Sequence, residues 1–184
     1  MSQKVTVTGM ILSATPIGEY DKRVVILTKE KGKISAFAKG ARRQNSALMG
    51  VTNPFSFGEF ILYDGRSSYN VMQADISNYF MQLSTDFEGA YYGFYFMELA
   101  DYYTREYNDE RQMLGLLYQS LRALTSKKIP YELIRCIFVY SAGKIRGVIA
   151  FFLTTASISY VSSLVSSFQF SSLPEMHRFQ ERCS

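Results

Sequence analysis

Residues 4–76 form a succession of short β-branched and aromatic runs cut by turn residues, and this period-two pattern is what most restricts the fold. Five strands are predicted, at residues 5–12, 23–28, 34–38, 57–63 and 69–74. Gly9, in the middle of the first, predicts a bulge or sharp bend of the kind that closes small barrels. Lys31-Gly32-Lys33 turns the second strand into the third as an antiparallel hairpin, and Asp64-Gly65 turns the fourth into the fifth. Five short strands in about seventy residues fit a Greek-key barrel of the OB type.

Past residue 80 the pattern changes. Gly and Pro become sparse, and apolar residues recur at intervals of three and four, the spacing of helices packed on one side. In the first helix Phe87, Tyr91, Phe94, Leu99 and Tyr102 are expected to line the inward face, with Asp86 near its start and Arg105 near its end suiting the helix dipole. A second helix over residues 109–124 would bury Met113, Leu116, Leu117 and Leu121. Pro130 opens a third, continued by Ile134, Ile137, Phe138 and Ser141. The fold class is therefore α+β: an N-terminal five-stranded OB-fold barrel over residues 1–80, then an α-helical domain over residues 81–146. Residues 147–184 form an atypical tail, because residues 147–174 contain no Asp, Glu, Lys or Arg and eight of those 28 residues are Ser.

The formal net charge of +4 is unevenly placed. Residues 1–80 hold 10 Lys and Arg against 6 Asp and Glu, whereas the remainder is balanced at 10 against 10. Within residues 22–43, Lys22, Arg23, Lys29, Lys31, Lys33, Lys39, Arg42 and Arg43 face only Glu30. Such a concentration repels itself unless a polyanion or solvent ions compensate it, which makes it an electrostatic footprint for nucleic acid. Lys22, Lys29 and Lys31 could equally keep a sheet edge soluble. Lys39-Gly40-Ala41-Arg42-Arg43 is a sharper signal, because an exposed loop has no structural need for adjacent arginines and Arg offers planar, multi-donor contact to phosphate. Aromatics such as Tyr20, Phe37 and Tyr69 are expected on the same strands and could stack on bases, although each is more often a core residue.

Catalytic chemistry finds little support. His177 is the only histidine, its spacing to Cys183 does not match a zinc site, and it reads as a surface residue. Cys136 lies in an apolar helical run, where a buried thiol acting as a small hydrophobe is expected. The glycines near Lys31 and Lys39 lack the spacing of a phosphate-binding loop. Glu98, Asp101, Glu106, Asp109 and Glu110 alternate with Arg105 and Arg111 in the manner of a solvated helix face. No catalytic residue, metal ligand, cofactor or small-molecule substrate is expected.

The runs Gly18-Glu19-Tyr20-Asp21-Lys22-Arg23-Val24, Leu27-Thr28, Gly32-Lys33-Ile34 and Ala38-Lys39-Gly40-Ala41-Arg42-Arg43, followed by Phe57-Gly58-Glu59, resemble the N-terminal signature of the RecO family of bacterial recombination mediators. The resemblance covers about residues 3–140. It implies an OB-fold followed by a helical domain, binding of single- and double-stranded DNA, and strand annealing in DNA repair. It also implies partnership with RecR and single-strand-binding protein in loading a recombinase. A cytoplasmic location is expected separately, because Cys136 and Cys183 lack the density of a secreted disulfide framework. The positions that match the family's basic residues are Lys33, Lys39, Arg42 and Arg43, with Lys22 and Arg23 beside them. Many members carry a four-cysteine zinc cluster after the third helix. The Ser-rich tail stands in its place here, so zinc is not expected, and a truncated or frame-shifted C-terminus is. Two other readings compete: a membrane-associated basic domain anchored by the uncharged tail, and an OB module for structured RNA.

Overall fold

The computed structural model describes residues 3–65 and 68–147. Five strands, β1 (Lys4–Ile17), β2 (Asp21–Thr28), β3 (Gly32–Ala38), β4 (Phe57–Asp64) and β5 (Tyr69–Asn78), close into a barrel in the order β1-β2-β3-β5-β4. Every pairing is antiparallel except β3 with β5, where Ala36 and Phe37 lie opposite Tyr69 and Asn70. The strands run longer than their apolar cores predict, since exposed ends such as Thr15, Pro16 and Ile17 stay paired to β2.

The long β1 makes closure possible by serving two neighbours. Residues 4–10 pair with β4, residues 9–17 pair with β2, and the β1–β2 register slips between Ile11 and Ser13. Gly9 is the crossing point: it faces Gly58 on one side and Thr28 on the other, and a Cβ there would overlap the carbonyl oxygen of Leu27. The expected bend at Gly9 is thus a close backbone approach, and the irregularity itself falls two residues later. Inside the barrel, Val7, Ile11, Val24, Ile26, Ile34, Ala36, Phe60, Leu62 and Val71 form one buried cluster.

Three helices follow a short 3-10 turn at Met81–Thr85: α1 (Phe87–Tyr103), α2 (Arg111–Ser126) and α3 (Tyr131–Ile145). Asp86 caps α1 by accepting from the Gly89 amide at 2.9 Å. Met10, Leu12, Leu27 and Phe57 point out of the barrel into a second core shared with Phe96, Met113, Leu117, Leu121 and Phe138. Burial of a side chain such as Phe96 is worth roughly 1.5–3 kcal/mol, so this shared core is what seats the helices on the β1–β2 side.

The expected inward face of α1 is wrong. Phe87, Tyr91, Phe94 and Tyr102 are 90%, 68%, 52% and 70% exposed, and the helix instead buries Gly89, Gly93, Phe96, Met97 and Ala100. This helix is apolar nearly all round, so periodicity alone does not choose a face, and close approach does. A Cβ on Gly93 would lie 2.9 Å from the Phe55 ring and 3.3 Å from Leu121. Two further expectations fail for related reasons. Cys136 is exposed, because Ile134 and Phe138 take the inward positions on α3 and leave it on the opposite side. Glu110 is 1% exposed rather than solvated: it accepts from the Arg105 amide at 3.1 Å and pairs with the Arg146 guanidinium, tying the start of α2 to the end of α3. The expectations for the tail, including His177 and Cys183, lie outside the described residues.

Candidate nucleic-acid interface

The basic stretch divides into two groups that face different parts of the molecule. The first is assembled by the chain after β3. Ala41 is fully buried in the barrel cluster, and this anchor fixes the residues on either side of it. Gly40 adopts a positive φ of 69° that lets the chain turn, and its amide donates to Asp21 Oδ1 at 2.7 Å. The Arg42 amide donates to the Tyr20 carbonyl at 2.8 Å and its guanidinium to the Gly18 carbonyl at 3.3 Å. Arg43 lies over the Tyr20 ring, 5.2 Å from its centroid. The loop carrying Lys39, Arg42 and Arg43 is therefore laid against the β1–β2 turn. Arg42 has a structural task there that the sequence did not show.

Lys22 belongs to the same surface. Its ammonium donates to Asn53 Oδ1 at 2.8 Å, and its pKa is lowered first by desolvation and then by the charge of Arg42. Arg23, one residue on, is exposed and donates to Ser35 Oγ at 2.9 Å across the β2–β3 pair. Lys39 is exposed at the end of β3. Asn53, distant in sequence from all of these, carried no signal that placed it here.

Lys33 stands apart. Its ammonium meets Asp101 of α1 twice, at 2.9 Å to Oδ1 and 2.5 Å to the carbonyl oxygen. Around it the β2–β3 turn is stitched to the α1–α2 connection: the Lys33 amide donates to Arg105 O and the Tyr107 amide to Lys31 O, each at 3.0 Å, with Gly32 bridging to Glu106. Lys31 lies 5.5 Å from the centroid of the Tyr69 ring. Of these two side chains, Lys33 reaches α1, whereas the Lys31 ammonium lies over a ring of the barrel itself. Of the three aromatics singled out, Tyr20 is 42% exposed, Phe37 is half-buried and Tyr69 is buried at 6%, so Tyr69 is core and not a stacking platform.

Lys22, Arg42 and Arg43 bring ammonium and guanidinium groups together next to the exposed Tyr20 ring, an arrangement whose chemistry suits a sugar-phosphate chain. Among the described residues, no helix is long and apolar enough to cross a membrane.

The family model described as recombination protein O N terminal matches residues 1–80, and the one described as recombination protein O C terminal matches residues 84–148. A DNA repair protein RecO from Alkaliphilus metalliredigens is 35% identical over 164 residues, 89% of this chain and 66% of the relative. Those of Acetivibrio thermocellus and Clostridium novyi are 32% and 31% identical, covering 70% and 71% of this chain and 51% of each relative. The chain thus spans between about half and two thirds of the length of these relatives. Likeness does not stop near residue 140, as the resemblance suggested: a match of 164 residues in a chain of 184 necessarily enters the Ser-rich tail. With both family models matching in order and curated relatives alike over most of its residues, the chain belongs to the RecO family.

Proposed function

We infer that this chain is a recombination mediator of DNA repair that binds single- and double-stranded DNA and promotes annealing and recombinase loading, contributing attraction rather than bond-making and needing no enzyme chemistry. The observation that carries this reading is the docking of the loop at residues 39–43 onto the β1–β2 turn, which brings Arg42 beside Lys22 and Arg43 over the Tyr20 ring. A cationic surface lowers the repulsion between two phosphate backbones, so complementary strands stay close until base pairing takes over. In this reading residues 1–80 are the nucleic-acid-binding domain and residues 81–146 a helical domain. Lys33 pairs with Asp101 of the helical domain rather than contacting phosphate. RecR and single-strand-binding protein are the partners the family suggests, and the cytoplasm the compartment.

The test is association with a fluorescent single-stranded oligonucleotide at low ionic strength, followed by annealing of complementary strands. Binding that Lys39→Ala, Arg42→Ala and Arg43→Ala together weaken, with annealing slowed in parallel, is expected. Absence of association with any oligonucleotide would overturn the reading. Preference for duplex RNA or for anionic liposomes would favour the competing ones.

A further inference from the structure

An apolar cleft of about 780 Å³ opens between the chain leading into β4, the 3-10 turn and α1. Aromatic rings make its walls: Phe55, Tyr79, Phe80, Phe87 and Phe94. Phe55 and Phe80 both hold left-handed backbone, with φ of 70° and 48°. For bulky residues that conformation is costly and persists only where surrounding contacts enforce it. For Phe55 those contacts are visible: its amide donates to Ile11 O at 3.2 Å, and its ring lies 4.8 Å from that of Phe94, in the space Gly93 leaves open.

The lining of the cleft carries no charged side chain, yet it includes Asn53, the residue that holds the Lys22 ammonium, so cleft and cationic surface share that residue. Phe87 and Phe94, also in the lining, are 90% and 52% exposed on α1. A strip of rings beside a row of cations is complementary to an unpaired strand, whose backbone is anionic and whose bases offer flat apolar faces. A duplex keeps its bases stacked inside and gains nothing from the rings.

We propose that this cleft receives unstacked bases of single-stranded nucleic acid whose phosphates lie on Lys22, Arg42 and Arg43. It rests on the reading of the basic surface given above and adds a strand preference that the surface alone does not confer.

The chain contains no tryptophan, so Phe94→Trp creates a single reporter in the cleft. Oligo(dT) is expected to quench it, while an abasic strand of equal length and charge is not. A Phe87→Ala, Phe94→Ala double variant, altered at exposed positions, is expected to bind single strands about tenfold more weakly or worse, the effect of lost base stacking. Its affinity for duplex and its salt dependence should be unchanged. If oligo(dT) binds, by anisotropy, and the tryptophan does not respond, the cleft is not a base site and the basic-surface reading survives. Quenching equally by the abasic strand also overturns the proposal. If no oligonucleotide binds at low salt, both readings fall together.

Discussion

The salt dependence of binding separates the two groups of basic residues quantitatively. The proposed function assigns five phosphate contacts, Lys22, Arg23, Lys39, Arg42 and Arg43, whereas Lys33 is held in an ion pair by Asp101. Each phosphate contact on a single strand releases counterions and contributes about −0.7 to the slope of log affinity against log salt, so the five together give a slope of about −3.5. Raising salt fourfold would then weaken binding roughly 130-fold. Arg42→Ala with Arg43→Ala leaves three contacts and a slope of about −2.1, a loss of only about 18-fold over the same range. Lys33→Ala should leave the slope at about −3.5, because its cation is already spent within the protein. Anisotropy titrations of a labelled oligonucleotide across a salt series measure all three, with thermal melts to check that removing the Arg42 bond to Gly18 has not unfolded the loop. A slope that falls for Lys33→Ala as much as for the arginine pair, or does not fall for that pair, refutes the partition.

Three other outcomes concern groups outside the basic surface. Glu110→Ala would leave the Arg146 guanidinium buried without its carboxylate and should cost about 3–5 kcal/mol, read as a fall in the urea midpoint. Glu110→Leu with Arg146→Met should recover most of that loss, and a double variant no better than the single one would show that the pair is not what matters. Gly58→Ala places a Cβ onto the Asp75 carbonyl oxygen where β4 meets β5, and should lose about 1–3 kcal/mol or more; unchanged stability would mean the strands can part there without cost. Asp86 is held well below the usual carboxylate range by the Tyr131 hydroxyl at 2.6 Å, then the Gly89 amide and Lys127. A carboxylate depressed on folding stabilises above its unfolded pKa of about 3.9 and loses that contribution as pH falls toward its folded value. Asp86→Asn should therefore flatten the decline in stability between about pH 5 and 2, and urea midpoints that fall in parallel for both proteins would refute the assignment.

How much of this the sequence disclosed depends on whether the signal was local. All five strands and the hairpin at Gly32 were legible, because alternation and turn chemistry act over a few residues. The interior of α2 was legible for the same reason, as Met113, Leu117 and Leu121 share one face of a helix that is polar on the other. The face of α1 was not, since both sides are apolar and the choice was made by Gly89 and Gly93 fitting against neighbours far away in the chain. Positive charge at Arg42 and Arg43 was plain, but its docking on Gly18 and Tyr20 was not, nor was the meeting of Lys22 with Asn53 or of Glu110 with Arg146. Each of those contacts joins residues 22 to 36 positions apart that carry no periodic mark of their partnership.

Strand β3 sits between the two uses of positive charge, and the magnitudes decide whether they interfere. At its start Lys33 pairs with Asp101, the side chains 24% and 44% exposed, so the pair is a partly solvated one of the kind worth at most about 1 kcal/mol and weakened by salt. Just past its end Lys39 leads into the loop that carries Arg42 and Arg43, the proposed phosphate contacts. Were the ion pair the main joint between barrel and helices, salt would loosen the fold and release nucleic acid together, and the slope would report both. The joint is instead the shared apolar core of Met10, Leu27 and Phe57 with Phe96 and Leu117, whose burial is worth several times more and does not depend on ionic strength in this range. On the proposed function, salt would therefore strip a strand from the loop while the helices keep their seat, so that such a surface would release DNA without unfolding.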